Sequence, residues 1–147
     1  MMRMMTTLLM ASVLSAPVMA ADIEDQITFR KGYWQVVKHE FGDVIAAMVR
    51  EKRPMDADRM AEAAARVALL APLASEVFPE GSISDDSRAL EKIWQDKAGF
   101  AKALSAYEDK AVALNAAVVS KDRAAIGQAL KEMGGTCKSC HDNYRAE

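Results

Sequence analysis

The stretch "AAIGQALKEMGGTCKSCHDNYR", residues 124–145, decides the fold because its apolar residues recur with the period of an α-helix. Steps of three and four residues connect Ile126, Leu130, Met133, Cys137, Cys140 and Tyr144. Residues at this spacing lie on one side of a helix. We therefore predict a helix with one buried face, and this face carries both of the chain's cysteines.

The same periodicity occurs in three earlier segments, and breaks rich in Pro, Gly, Ser and Asp separate them at residues 52–56, 78–86 and 120–123. The apolar faces are Ile27, Arg30, Trp34, Val37, Phe41, Val44 and Met48 in helix A; Met60, Ala63, Val67, Leu70, Ala74 and Val77 in helix B; and Phe100, Leu104, Tyr107, Ala111, Leu114 and Val118 in helix C. The stretch at residues 124–145 is then helix D. Each face is typical of a helix packed on a core.

Four helices of about 20 residues with short connections predict an all-α fold, an antiparallel up-down-up-down four-helix bundle. The predicted N-caps are Asp56, Asp96 and either Ser120 or Asp122, since short polar side chains accept hydrogen bonds from the first helical N–H groups. A coiled-coil dimer of longer helices is the alternative, and the Pro and Gly breaks disfavour it.

The first 20 residues, "MMRMMTTLLMASVLSAPVMA", have the layout of a secretory signal peptide: one positive charge, a short apolar run and small residues at the end. We predict cleavage after Ala20, a single mature domain over 21–147, no membrane span once the signal is removed, and a periplasmic location. The formal net charge of −2 and the scattered basic residues do not indicate nucleic-acid binding.

Cys137, Cys140 and His141 stand at positions i, i+3 and i+4 and therefore share one side of helix D. Two thiols one turn apart can form thioether bonds with one haem, and the adjacent histidine can bind its iron. C-x-x-C-H is accordingly the attachment signature of c-type haem. A lone disulfide would close a small loop of little value, a thioredoxin-like dithiol needs a βαβ setting, and structural zinc needs four ligands. We therefore predict one covalently bound haem c.

The bundle topology predicts where the haem lies. The C-terminal end of helix D meets the N-terminal halves of helices A and C and the C-terminal end of helix B. This end collects most of the aromatic residues: Phe29, Tyr33, Trp34, Phe78, Trp94, Phe100 and Tyr144. Such a concentration suits a large flat cofactor, although a purely aromatic core is the alternative.

With "TCKSCHDNYR" at its end, "FRKGYW" near its start and "FPEGS" and "IWQDKAGF" between, the chain resembles the cytochrome c′ family. The resemblance covers essentially the whole mature chain. It implies a periplasmic haem protein, a homodimer through helices A and B, and pentacoordinate high-spin iron that binds NO and CO. It also implies that Arg30 pairs with a haem propionate, that Trp34 is the distal side chain over the iron, and that Arg145 lies on the proximal side.

Spacing leads to two of these residues independently. Arg30 lies on the core-facing side of helix A, where a buried charge needs an anion such as a propionate; the alternative is that its side chain reaches past the core to water. Arg145 is one turn beyond His141 and can lie over the imidazole, or it can be a solvated charge at the helix C-terminus.

The sixth position of the iron separates the possible functions, because a Met or His ligand there gives a low-spin electron carrier and an empty position gives a gas binder. Cytochrome c-556, which the chain also resembles, places a methionine on helix A. Here Met48 follows Trp34 by about 21 Å of helix, and His39 is predicted to be a surface residue. We predict the pentacoordinate NO- and CO-binding protein, with the low-spin electron carrier and a haem-free bundle as alternatives. No catalytic set of residues is evident, so an enzyme is not predicted.

Overall fold

The computed structural model describes residues 19–147, with side chains from Asp22 onward. The predicted signal peptide falls almost wholly on residues 1–18, which lie outside the described residues. The helical elements are α1 (Met19–Lys38), a π-helical segment (His39–Ala46), α2 (Ala47–Val49), α3 (Ala57–Leu70), a 3₁₀ segment (Ala71–Ser75), α4 (Lys92–Gln95), α5 (Lys97–Ser120) and α6 (Arg123–Tyr144).

These elements form the predicted all-α antiparallel four-helix bundle. The α1 helix, the π-helical segment and α2 make up helix A, α3 with the 3₁₀ segment makes up helix B, and α5 and α6 are helices C and D. Residues 19–147 contain no β-strand, and their one isolated bridge joins Ala89 to Arg145. Within the same residues, no helix combines the length and the apolar character that a membrane crossing requires.

The helix starts agree with the predicted caps. Asp56 accepts a hydrogen bond from the backbone N–H of Arg59, at 2.9 Å. Asp96 accepts one from Gly99, at 3.0 Å. At the start of α6 the cap is Asp122 and not Ser120, because the Asp122 carboxylate accepts from two successive backbone N–H groups. Each carboxylate satisfies donors that have no partner within the helix.

Two segments depart from regular α-helix. Residues His39–Ala46 are π-helical, and in them Glu40 is buried in addition to the predicted Phe41, which packs against the core. Helix B continues past Leu70 only as a 3₁₀ segment. The physical reason for the second change is Pro72, which has no N–H to donate and cannot extend an α-helix.

The helices pack closely along most of the bundle and separate at one end. The α5 and α6 helices pack along each other, and α3 packs against α5. The first helix makes its close backbone contacts with α3 mainly through the π-helical segment. The part of α1 before that segment makes few close backbone contacts with the other helices, which leaves room for a cavity.

Candidate functional site

A cavity of about 550 Å³ lies between α1, the loop before α4, α5 and the last turns of α6. Apolar and aromatic side chains make up most of its wall: Trp34, Phe41, Phe78, Phe100, Leu104, Tyr107 and Tyr144. All six residues of the predicted site, Arg30, Trp34, Cys137, Cys140, His141 and Arg145, line this cavity. Residues far apart in the sequence therefore meet at the end of the bundle that the topology predicted.

The last turns of α6 present Cys137, Cys140 and His141 to the cavity. Both cysteines are free, and burial raises the pKa of each thiol. A raised thiol pKa is the opposite of what a redox dithiol or a thiolate zinc site needs. Two protonated thiols one turn apart fit thioether formation instead.

The imidazole of His141 is oriented by its neighbour one turn later. Partial burial and the positive charges of Arg145 and Arg88 lower the pKa of His141, and Asp142 opposes them. The Arg145 Nη1 lies 3.3 Å from the ring Nδ1 and 3.5 Å from Nε2, so the guanidinium covers the ring. A neutral imidazole is the form that binds a metal, and the local charges favour it.

Trp34 lies among aromatic rings on the wall formed by α1. Its ring meets that of Tyr33 edge-on at 4.7 Å between centroids, and that of Tyr107 at 5.6 Å. Phe78 lies 6.4 Å away. The indole is therefore packed against three rings on one side and borders the cavity on the other.

The prediction of which aromatic residues meet the cavity is partly wrong. Phe29 is 60% exposed on the outer face of α1. Tyr33 is buried, but its hydroxyl donates to the carbonyl of Leu70 and faces α3. Trp94 donates from Nε1 to the carbonyl of Pro79 beneath the loop. Helical spacing identifies a side of a helix, whereas the direction of each ring depends on what packs against it.

Arg30 is 4% exposed, which excludes the alternative that its side chain reaches solvent. Nη1 donates to Ser82 Oγ at 2.8 Å, and Nη2 donates to the carbonyl of Ser82 at 2.7 Å and to Ser87 Oγ at 2.8 Å. The expectation that this group would be unpaired without an anion is therefore wrong as to hydrogen bonds. The expectation is correct as to charge, because the hydrogen-bond partners of Arg30 are neutral. Burial lowers the pKa of Arg30, and no charged neighbour contributes to the shift.

The end of α6 is fixed by contacts on both sides. Tyr144 Oη donates to Asp96 Oδ2 at 2.8 Å, so the cap of α5 also holds the last turn of α6. On the other side, the backbone N–H of Leu90 donates to the carbonyl of Tyr144. Because Tyr144 follows His141 by less than one turn, these bonds fix the position of His141.

The second histidine, His39, and the methionines from Met48 onward lie away from the cavity. His39 is a surface residue, as predicted, with its imidazole 3.9 Å from the carboxylate of Asp43. Met48, Met60 and Met133 are buried in the core elsewhere and Met55 is exposed. Among the described residues that line the cavity there is no methionine and no histidine other than His141.

Two residues of the site, Tyr107 and Ser82, were not predicted from the sequence. Tyr107 was placed on the core-facing side of helix C but not with the cavity aromatics. Ser82 lies in a loop that the sequence marks only as a break, yet it is 1% exposed and bonded to Arg30. Helical spacing could have indicated Tyr107, but no local signal identifies Ser82.

The cavity fits a c-type haem. It offers an apolar space, and two thiols and an imidazole on one helix face. The opposite wall carries the buried cation of Arg30, which has no anionic partner among residues 22–147. The thiols match the two vinyl groups, the imidazole matches the iron, and the guanidinium matches a carboxylate at the haem edge.

Comparison with known proteins supports the same group. The family model described as cytochrome C′ matches residues 25–145. Cytochrome c′ of Cereibacter sphaeroides is 38% identical over 150 residues, which cover 99% of this chain and 98% of that protein. The structure of cytochrome c′ from Shewanella frigidimarina is 39% identical, with a TM-score of 0.81 over 85% of this chain and 97% of that one.

Two structures of Alcaligenes xylosoxidans cytochrome c′ variants are also similar, one with carbon monoxide bound and one with NO bound. They are 28% and 27% identical to this chain, both with TM-scores of 0.77. Each covers 85% of this chain, and the matches extend over 97% and 96% of their own chains.

Proposed function

Since the chain belongs to the cytochrome c′ family, whose members carry covalently bound haem c, we propose that it is a periplasmic protein with pentacoordinate high-spin iron that binds NO and CO. The observation that carries the proposal is the composition of the cavity wall. Within the described residues, this wall contains no methionine and no second histidine. When bound, the haem supplies an iron whose remaining axial position is open to a small diatomic ligand.

The other polar groups on this wall are poor iron ligands. Burial raises the pKa of Tyr107, which keeps the side chain a neutral phenol. Lys38 Nζ is occupied by Asp43, at 2.9 Å. Trp34 has no lone pair in the plane of its ring to offer to a metal. A low-spin centre of the c-556 type would need a methionine on this wall, and the described residues that line it include none.

The proposed roles of the site residues follow from their positions. Cys137 and Cys140 hold the haem through thioether bonds, and His141 is the axial ligand. Arg30 binds a propionate. Trp34 limits the space on the distal side, and Arg145 covers the proximal imidazole. No catalytic residue is assigned. The proposed tasks are to bind a gas and, second, to carry an electron.

Two of the similar structures indicate candidate ligands. The relatives solved with carbon monoxide and with NO make these gases the candidate ligands of this chain.

Apolar side chains on the outer faces of helices A and B are exposed, namely Phe29, Val36, Leu69 and Leu73. Exposed apolar surface of this kind is typical of an interface between subunits, so we propose a homodimer through these helices.

An absorption spectrum of the dithionite-reduced protein tests the spin state. A broad high-spin spectrum supports the proposal, whereas sharp low-spin bands would favour the electron carrier of the c-556 type.

The N-terminal sequence of protein recovered from the periplasmic fraction tests the location, and it should begin at Ala21 if residues 1–20 are a signal peptide.

The Trp34→Ala variant tests the distal role. If a bound gas must displace the indole, at a cost typical of overpacking of about 1–3 kcal/mol, the variant should bind CO about ten- to a hundredfold more tightly. The matched control is Trp94→Ala, which also removes an indole but lies outside the cavity wall. CO affinity that is equal in the parent and in Trp34→Ala would remove Trp34 from the distal position.

A further inference from the structure

Among the described residues, the buried guanidinium of Arg30 donates hydrogen bonds only to neutral oxygen atoms. The serine hydroxyls and the Ser82 carbonyl accept three hydrogen bonds of 2.7–2.8 Å. The ring of Phe78 lies 5.0 Å from the guanidinium carbon. A guanidinium has five N–H groups, so the Nε–H and one Nη1–H have no acceptor within the described residues. None of these contacts reduces the positive charge.

The oxygen atoms that receive Arg30 are positioned by the loop itself. Ser82 Oγ donates to the carbonyl of Pro79 at 2.7 Å, and the Ser82 N–H bonds to the same carbonyl. Ser87 Oγ also accepts from the N–H of Ala89, at 3.2 Å. Hydrogen bonds within the loop therefore help to orient the oxygen atoms that accept from the guanidinium.

The same loop is anchored to the segment that follows His141. The carbonyl of Arg88 accepts from Ala146 N–H, and the Arg88 guanidinium donates to the Ala146 carbonyl at 2.8 Å. Leu90 N–H bonds to Tyr144. These bonds link the α1 wall of the cavity to the helix end that carries the histidine.

We propose that Ser82 and Ser87 are positioning residues, which hold Arg30 at the cavity wall with neutral acceptors and so leave its full positive charge for an anionic group of the haem. An acidic residue in place of either serine would hold the side chain equally well but would neutralise it. The inference rests on the proposed role of Arg30. It adds that the absence of charge on the loop partners is what makes the cation effective.

The reduction potential of the holoprotein tests this inference. A nearby cation favours the reduced haem, because the reduced haem carries one positive charge fewer than the oxidised haem. Arg30→Leu should lower the potential. Ser87→Asp, which places a carboxylate against the guanidinium, should lower it by at least half as much. Ser84→Asp is the matched control, since it adds the same charge to an exposed site in the same loop, and its effect should be below a quarter of that of Arg30→Leu. Ser87→Thr, which keeps the hydroxyl, should leave the potential unchanged.

The outcomes distinguish the role of Arg30 from the positioning role of Ser82 and Ser87. If Arg30→Leu leaves the potential unchanged, the role of Arg30 itself is refuted. If Arg30→Leu lowers the potential but Ser87→Asp acts no more strongly than Ser84→Asp, only the positioning inference is overturned. Ser82→Ala provides a second measurement in case Ser87→Asp does not fold. It removes the Nη1 acceptor and should also lower the potential, and an unchanged potential in this variant would count against the inference.

Discussion

A single carboxylate, Glu40, connects the irregular part of the first helix to α3. Arg59 Nη2 lies 2.7 Å from one of its oxygens and Arg66 Nη1 lies 3.2 Å from the other. Burial raises the pKa of Glu40, but the close contacts and charges of the two arginines outweigh burial and leave the pKa below its usual value. Glu40→Gln should therefore lower the free energy of unfolding at pH 7 by about 2 kcal/mol, measured by urea denaturation.

The pH dependence gives a second measurement on the same residue. A carboxyl whose pKa is lower in the folded state stabilises the fold above its unfolded pKa of about 4.3, and it loses this contribution as the pH falls through the folded value. The parent should lose stability over this range more steeply than Glu40→Gln. The control is Glu62→Gln, because Glu62 pairs with Arg66 at 3.0 Å on the surface and its loss should cost less than about 1 kcal/mol. Equal effects of the two substitutions would contradict a special role for Glu40.

At the scale of the helices, the start of α5 depends on Gly99. A Cβ at this position would lie 2.6 Å from Tyr144 Oη and closer still to the Asp96 carboxylate. Gly99→Ala should therefore destabilise the protein, even though alanine is favoured over glycine in a helix by about 1 kcal/mol. The matched control is Gly127→Ala in α6, where a Cβ meets nothing within 4 Å. Thermal unfolding should show a lower Tm for the first variant and an unchanged or higher Tm for the second.

The C-terminus of α5 offers a change in the opposite direction. Lys121 ends the helix with a φ of 59°, in the left-handed region where a Cβ is unfavourable. Lys121→Gly should raise the free energy of unfolding by about 1 kcal/mol. Ser120→Gly is the control, since Ser120 is still within the helix and glycine there should destabilise. Equal losses of stability in both variants would show that the αL strain at Lys121 is negligible.

For the molecule as a whole, the cofactor and the bundle should depend on each other. Without haem, the cavity of about 550 Å³ leaves one end of the bundle without a packed core. Cys137→Ala with Cys140→Ala should abolish covalent attachment, because no other cysteine exists in the chain, and circular dichroism should show less helix in the apoprotein. Ser139→Ala, between the two cysteines, should keep the haem. A Soret band that stays with the protein of the double variant through denaturation would refute the attachment sites.

The amino-acid sequence by itself determined the features that depend on neighbours along the chain. The core-facing sides of the helices follow from a period of three and four residues, and the caps Asp56, Asp96 and Asp122 follow from hydrogen bonds to N–H groups two or three residues away. The common face of Cys137, Cys140 and His141 follows from one turn of helix. Such patterns are readable because the geometry of a helix is the same wherever it occurs.

Only the tertiary structure decided the features that join distant segments. The π-helical segment accompanies the pairing of Glu40 with Arg59 and Arg66, and the acceptors of Arg30 come from a loop more than 50 residues later. Trp94 lies outside the cavity because its indole donates to the loop carbonyl of Pro79, a partner that no local pattern encodes. Burial and charge act through space, so a side chain's partner depends on how the helices pack, and helical spacing identifies only the side of the helix on which the partner must lie.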